Sequence, residues 1–414
     1  MIKETVSLNN KRLSLTVTNN KISAVLRSNT TKSGIRLYDN DCLGIASAIG
    51  AYDDNELTNR AKHMLNFKLP YPCAPERDKQ MSLTLSDILT ATEDEFVDMA
   101  ERVLAVLSEK FPKFAYTGRF GLFETCDSLV NDQGLSLVQK DRMTQFSLRY
   151  KHKDSKNLMD GGGLFLARKL CFDTILEQMT DTCAAYDEKV DFSEQGEMIP
   201  VVTTSHWSYL IKFMKDLDAD TFANNASMFS GKTGQKLFGD DFNLINNMCA
   251  KSTFGRFFDG EGITHPNNTY HYIENGVLKS PLTTKRTAKQ YDLPISGSAG
   301  LTYDSAPDTS WQMAAARGGK TLKELLAGRK AILAISAGGG DYTPQGEFAS
   351  PIQTAYMFDG EKLLGRLPQL SMSSHINDMF GKDFIGVSKD GPFEGSHESY
   401  MVLNMNVKKI DGWM

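Results

Sequence analysis

The sequence predicts an α+β protein in two parts. Residues 1–190 form an N-terminal α+β domain of hairpins and two long helices, and residues 191–414 a β-rich C-terminal domain with short helices. Three observations predict this. Apolar and polar residues alternate at period two through the first 50 residues and again over 116–152. Two long segments, beginning at Thr92 and Leu164, instead repeat apolar residues at helical spacing. Beyond about residue 190 short strand patterns dominate, and a chain of 414 residues is long enough to bury more than one core.

The elements follow in order. Leu13, Leu15 and Val17 share one strand face, Asn19-Asn20 turns the chain, and 22–26 returns. A second hairpin spans 35–38 and 43–49 around Asp39-Asn40-Asp41. A short helix near 54–66 gives way to an irregular stretch carrying Pro70, Pro72 and Pro75. Thr92 and Glu95 make a capping-box pattern, and Phe96, Met99, Val103, Leu104 and Leu107 then follow until Pro112. Strands over 116–152 turn at 131–134. Gly161-Gly162-Gly163 precedes a second long helix, expected over 164–186 with Leu164, Ala167, Leu170 and Met179 on one side.

In the second half the spacing predicts a strand at 198–203 and a hairpin across Asn275-Gly276. It also predicts the strand AILAISA at 331–337, a hairpin across Asp359-Gly360, and a last strand at 401–407. Helices are expected at 205–217 and at 322–327, the latter opened by Thr321 and Glu324 and closed by Gly328.

Composition narrows the function. With 41% hydrophobic and 23% charged residues the chain reads as an ordinary globular protein. The net charge of −5 gives no general attraction to phosphate backbones, so nucleic acid is not expected as a partner. No apolar run is long enough to span a bilayer, and MIKETVSLNNKRLSL lacks the apolar core of a secretory signal. Six cysteines without a CxxC pair suit a reducing compartment, and the expectation is a cytoplasmic protein.

Candidate chemistry is sparse. His397-Glu398 begins like a zinc-peptidase helix, but Met401 stands where the second imidazole belongs. His265 and His271 flank a turn and need a distant third ligand to hold metal. Ala226–Thr233 resembles a phosphate loop without its first glycine, and Ser296–Gly300 a nucleophile elbow with serine in the place of glycine. Gly338–Gly340 reads as a flexible loop.

Taken together, residues 227–380 resemble the TldD/PmbA family of bacterial peptide-processing proteins. The residues that carry the resemblance are SMFSGKTGQKLF (227–238), YIENGVLKSPL (272–282), TAKQYDLPISGSAG (287–300), GEFASP (346–351) with YMFDGEKLLGRL (356–367), and SSHINDMF (373–380). They run in the family's order and spacing. Glu347, the inserted Ala349 and His375 depart from its pattern and mark a divergent member.

The resemblance implies a peptidase system. Its TldD branch holds a metal through H-E-x-x-x-H on a helix and a cysteine near the C-terminus; its PmbA (TldE) branch lacks these and pairs with the catalytic branch. Counting back from SMFSG, the metal helix falls at 210–215, which reads Leu-Ile-Lys-Phe-Met-Lys, and no cysteine stands near 386–388. By resemblance this chain is a PmbA/TldE-like subunit without a catalytic residue, metal ligand or cofactor of its own, zinc being expected only in a TldD-like catalytic paralogue. The implied partners are that paralogue, a second copy of the chain when alone, and small or unfolded peptides. The implied substrate- or partner-binding positions are Glu274, Asn275 and Gly276; Gly297, Ser298, Ala299 and Gly300; and Gly346, Phe348 and Ser350. Two alternatives stand beside this reading: a metal-dependent hydrolase using ligands such as His265 and His271, and a non-enzymatic peptide-binding protein. The older family label, modulator of DNA gyrase, finds no basic stripe here.

Overall fold

The computed structural model describes residues 1–410 apart from 86–90, 158–159, 171, 194–195, 205–206, 249–254, 311 and 394–398. His206, the His397-Glu398 pair, Cys171 and Cys249 therefore lie outside the described residues. Strand accounts for 43% of the chain and helix for 20%, an α+β protein as expected.

The first half is one twisted sheet with helices on it. β1 (Ile2–Thr18), β2 (Lys21–Asp39) and β3 (Cys42–Ile49) form a meander. Asn19 and Asn20 turn at positive φ (49° and 71°), as do Asn40 and Asp41, the geometry a two-residue hairpin loop demands. After α1 (Asp54–Met64), β4 (Leu69–Pro70) and β5 (Gln80–Thr84) comes α2 (Glu93–Lys110), opened by the Thr92–Glu95 capping box. β6 (Phe114–Asn131) and β7 (Ser136–His152) follow, then β8 (Gly161–Ala167) and α3 (Phe172–Ala184). The strand order is β4-β3-β2-β1-β6-β7-β5, with β8 also on β7. Phe96, Met99, Val103 and Leu107 of α2, with Ile175 and Met179 of α3, pack on Leu13, Leu15, Phe120 and Phe146 of the sheet.

One expectation is corrected here. Residues 161–167 are a strand, and the helix begins at Phe172. The glycines are the reason. A Cβ on Gly161 would collide with the Tyr150 ring, and one on Gly162 would lie 2.6 Å from the Leu148 carbonyl oxygen, so backbone pairs closely with backbone along β7. Leu164 is 43% exposed while Phe165 is buried, the alternation of a strand.

The second half carries β9 (Glu197–Thr204), α4 (Trp207–Asp216), α5 (Ala219–Ala223) and β10 (Leu244–Asn247). Next come β11 (Thr269–Glu274), β12 (Val277–Leu278), α6 (Lys285–Tyr291), β13 (Met313–Ala315) and α7 (Leu322–Leu326). The chain continues through β14 (Ala331–Ala337), β15 (Asp341–Tyr342), β16 (Glu347–Phe358), β17 (Leu363–Arg366) and β18 (Leu370–His375). It ends with α8 (Ile376–Met379), β19 (Phe384–Val387) and β20 (Tyr400–Lys409). β12-β11-β10-β13 make a small sheet.

The larger sheet runs β14-β9-β20-β18-β16, and β16 pairs again with β14, so five strands close on themselves. Closure removes most of the free edge that strands leave. Val201, Ile332, Met401 and Leu403 face one core with α4, while Val202, Leu333 and Val402 face another under α7. Burial on both faces explains why AILAISA reads as a continuous apolar run. At the end of α7 the left-handed cap is Ala327 (φ 50°), one residue before the expected glycine; Gly328 (φ 82°) continues the turn.

The halves touch through Phe257, Phe258 and Leu301, which pack on Val6, Leu129 and Leu137 of the first sheet. Among the described residues no helix is long and apolar enough to cross a membrane.

Candidate functional site

The hairpin loop between β11 and β12 has Asn275 at φ 49° and Gly276 at φ 75°, both left-handed. It is a docking point. The Gly276 carbonyl accepts from Leu237 N (2.9 Å) and Phe238 N (3.1 Å), and Gly276 N donates to Phe242 O (2.9 Å). Asn275 N donates to Asn243 Oδ1 at 2.9 Å, and Glu274 pairs with Lys279 at 3.1 Å, half exposed. Residues 234–238 thus lie across the hairpin, with Phe229 stacked on Phe213 of α4 and Phe238 edge-on to the same ring.

Gly346, at φ 99°, ends the turn before β16, where a Cβ would meet the side chains of Ile376, His375 and Met228. His375 Nε2 lies 3.0 Å from Gln345 O and caps α8, so the histidine that departs from the family pattern fills a structural position. Phe348 is buried between the rings of Tyr209 and Tyr342, and the Ser350 hydroxyl donates to Pro351 O at 3.2 Å.

Residues 297–300 line a buried polar cluster. The Ser298 hydroxyl is 2.8 Å from both the Tyr272 and Ser296 hydroxyls, and Ser296 Oγ accepts from Thr283 N at 2.8 Å. Gly297 (φ 65°) lets His265 approach, and His265 Nε2 lies 2.9 Å from Ser296 O. A carbonyl can only accept, so that nitrogen carries the proton. Burial lowers the pKa of His265, favouring the neutral ring. Ala299 N donates to Asp259 Oδ2 (3.1 Å), and Gly300 N to Asp308 O (2.8 Å).

Sequence reasoning missed what stands behind this cluster. Asp259 Oδ1 accepts from Glu261 N and Ile263 N, both at 2.9 Å. Glu261 accepts from Lys285 N at 2.7 Å and from the Tyr71 hydroxyl of the first half. Burial, and for Asp259 the neighbouring Glu261 charge, raise the pKa of both carboxyls. Arg36 crosses from β2 to donate to Gly260 O (2.6 Å) and Thr302 O (2.7 Å), while paired with Glu4 at 3.2 Å and 1% exposed. The run Phe257-Phe258-Asp259-Gly260-Glu261-Gly262, two acids among aromatics and glycines, was the available signal. A void of about 10 Å³ beside Asp259 and Ser298 has room for roughly one water, so this cluster joins the two halves without offering a substrate space.

The three groups of expected site residues are therefore brought near the same scaffold but do not converge on one cleft. Gly276, 297–299, Gly346, Phe348 and Ser350 are buried and make backbone or packing contacts; Asn275 is exposed and Glu274 half exposed.

The helix at the expected metal position, α4, sends Tyr209, Leu210, Phe213 and Met214 into the core. Lys212 Nζ lies 2.9 Å from Asp216 Oδ1, a buried pair one turn apart, and Asp216 Oδ2 accepts from Met228 N at 3.1 Å. Among the described residues no three His, Cys, Asp or Glu side chains are grouped closely enough to share a metal ion.

A closed five-strand sheet is joined to an α+β layer through the buried contacts of Arg36 and Glu261. Residues 195–409 match the PmbA/TldA metallopeptidase C-terminal domain, more than half of the chain, and the chain belongs to this family. It is 27% identical over 169 residues to Metalloprotease MJ0996 of Methanocaldococcus jannaschii; the match covers 40% of this chain and 37% of that protein's length. Its fold is similar to that of TldE from Thermococcus kodakarensis (TM-score 0.80, 16% identity, 99% of this chain and 97% of that one). It is also similar to a Thermotoga maritima protein described as a modulator of a DNA gyrase (TM-score 0.79, 16% identity, 98% and 96%).

Proposed function

We propose that this chain is a TldE-like subunit of a cytoplasmic TldD-type metallopeptidase system acting on small or unfolded peptides, with the metal held by its partner. One observation carries this reading: the chemistry of α4. The residues at the metal-helix position, Leu210 to Lys215, do not fit zinc. They offer no imidazole, carboxylate or thiolate, and the cation of Lys212 is buried beside the helix, paired with Asp216. Of the two alternative ligands, His265 is committed to the Ser296 carbonyl, and His271, on β11, is not grouped with two further His, Cys, Asp or Glu side chains among the described residues.

In this role the chain works by surface and shape. Residues 1–190 and 191–414 act as two units joined by Arg36, Glu261 and the Phe257-Phe258 contact. The buried family segments hold the closed sheet and the β11–β12 hairpin in register. Peptide recognition by extended backbone needs no particular sequence, which suits substrates that are short or unfolded.

The test is co-purification. The chain is co-expressed with an H-E-x-x-x-H paralogue from the same source, and only one of them is tagged. A stoichiometric pair is expected; recovery of the tagged chain alone, with both proteins folded, sinks the subunit role.

A further inference from the structure

At the seam between the two halves lies a cleft of about 500 Å³ that none of the expected site residues lines. That is the size of a small-ligand pocket. Its walls come from the loop after β7, the connector at 189–191, the middle of β16, the segment leaving β17, and the end of β20.

Arg366 is the fixed point of this cleft. Its backbone N–H donates to Glu188 O (2.6 Å) and its carbonyl accepts from Val190 N (3.0 Å), so the connector binds it on both sides. Its guanidinium carbon sits 3.9 Å from the centroid of the Tyr186 ring. Tyr186 also hydrogen-bonds the guanidinium through its side chain, so the tyrosine fixes the group while a five-donor fork keeps further N–H groups for a planar anion.

Two exposed cations, Lys189 and Lys409, line the same cleft. Among the described residues none of the three has a carboxylate partner within ion-pair distance. The buried arginines behave otherwise: Arg36 holds Glu4, and Arg168 holds Asp141 through two bonds of 2.8 and 2.7 Å. Of the acids in the cleft, Asp160 is already occupied. It accepts from His152 N and the Ser155 hydroxyl, both at 2.8 Å, from Asn157 Nδ2 at 3.1 Å, and from the side chain of Tyr186. Asp191 is exposed.

We propose that this cleft binds a carboxylate carried by a short peptide, with Arg366 as the bidentate anchor and Lys189 and Lys409 drawing the anion in. The anion site stands on the geometry; the peptide as its carrier rests on the peptidase-subunit reading. The carboxylate can be a chain terminus or an acidic side chain, and both present the same planar anion to the guanidinium.

Calorimetric titration of the full chain tests it with three probes: trialanine as the free acid, trialanine amide, and acetyl-Ala-Glu-Ala amide. Saturable binding of at least one carboxylate-bearing probe is expected, with none by trialanine amide, and the probe that binds identifies the source. Arg366→Gln should weaken that binding at least about tenfold, the scale of a charge-assisted bidentate contact. Should Arg366→Gln fail to fold, the exposed double variant Lys189→Ala/Lys409→Ala should weaken binding and flatten its salt dependence. Equal binding of trialanine amide, no saturation by either carboxylate probe, or affinity indifferent to the substitutions overturns the proposal. Pairing with the paralogue is read separately by co-purification, so either idea can fail while the other stands.

Discussion

Replacing Gly276 is the sharpest perturbation of the scaffold. A Cβ built there lies 2.6 Å from the Gly239 carbonyl oxygen and closer still to that of Phe238, both backbone atoms. At φ 75° a β-branched side chain also carries left-handed strain of about 1–2 kcal/mol. Relieving the clash means moving the 237–239 backbone away, which loosens the bonds from Leu237 N and Phe238 N to Gly276 O. At about 1 kcal/mol each, their loss brings the total for Gly276→Val to about 3–4 kcal/mol. Urea unfolding followed by tryptophan fluorescence measures it. Gly276→Ala, which already carries the Cβ, should show most of the loss. Asn275→Gly, at an exposed φ of 49°, should stay within about 0.5 kcal/mol. A Gly276→Val midpoint equal to wild type would refute the reasoning.

Tyr356→Phe removes a hydroxyl that donates to Thr182 O (2.8 Å) and meets the Tyr150 hydroxyl (2.9 Å), leaving both partners buried. The expected cost is about 1–3 kcal/mol in the same unfolding assay, and no change would show that the seam tolerates the loss. Burial and the Glu261 charge push Asp259 up to about 7. A raised carboxyl contributes stability that is fully present below its unfolded value near 3.8 and is lost as pH rises to about 7. Glu261→Gln should flatten that decline in unfolding midpoints taken between pH 4.5 and 7.5, and an unaltered profile would contradict it. The isolated chain should run as a two-fold dimer in light scattering at micromolar concentration; a single 46.0 kDa species would contradict this.

Most of the framework was legible because the signals are local. The Asn19-Asn20 and Asn275-Gly276 turns announce φ > 0, and the Thr92 and Thr321 caps announce helix starts. Residues 164–167 look helical in sequence, yet they continue β8, because the information that makes it a strand lies in Tyr150 and Leu148 of a different strand, which only glycines can approach. The closure of β16 onto β14 pairs Ile332 with Met357 and likewise leaves no mark in either segment. The site was less legible. Family segments such as 297–300 are recognisable as text, yet their side chains are mostly buried and serve the scaffold. Arg36 meets Gly260 across 224 residues, and Arg366 gains its setting from Tyr186 and the 188–190 connector; neither follows from local pattern.

The subunit role is tested most directly by peptide cleavage with the components separated. Casein and short unfolded peptides are incubated with this chain alone, with a metal-loaded H-E-x-x-x-H paralogue, and with both together. Because the Leu210–Lys215 segment has nothing to hold a metal or activate water, the chain alone should be silent with or without added zinc. Cleavage should appear when the paralogue is present and rise when the two are combined. Turnover by the chain alone that survives repurification and is abolished by a chelator would contradict the assignment.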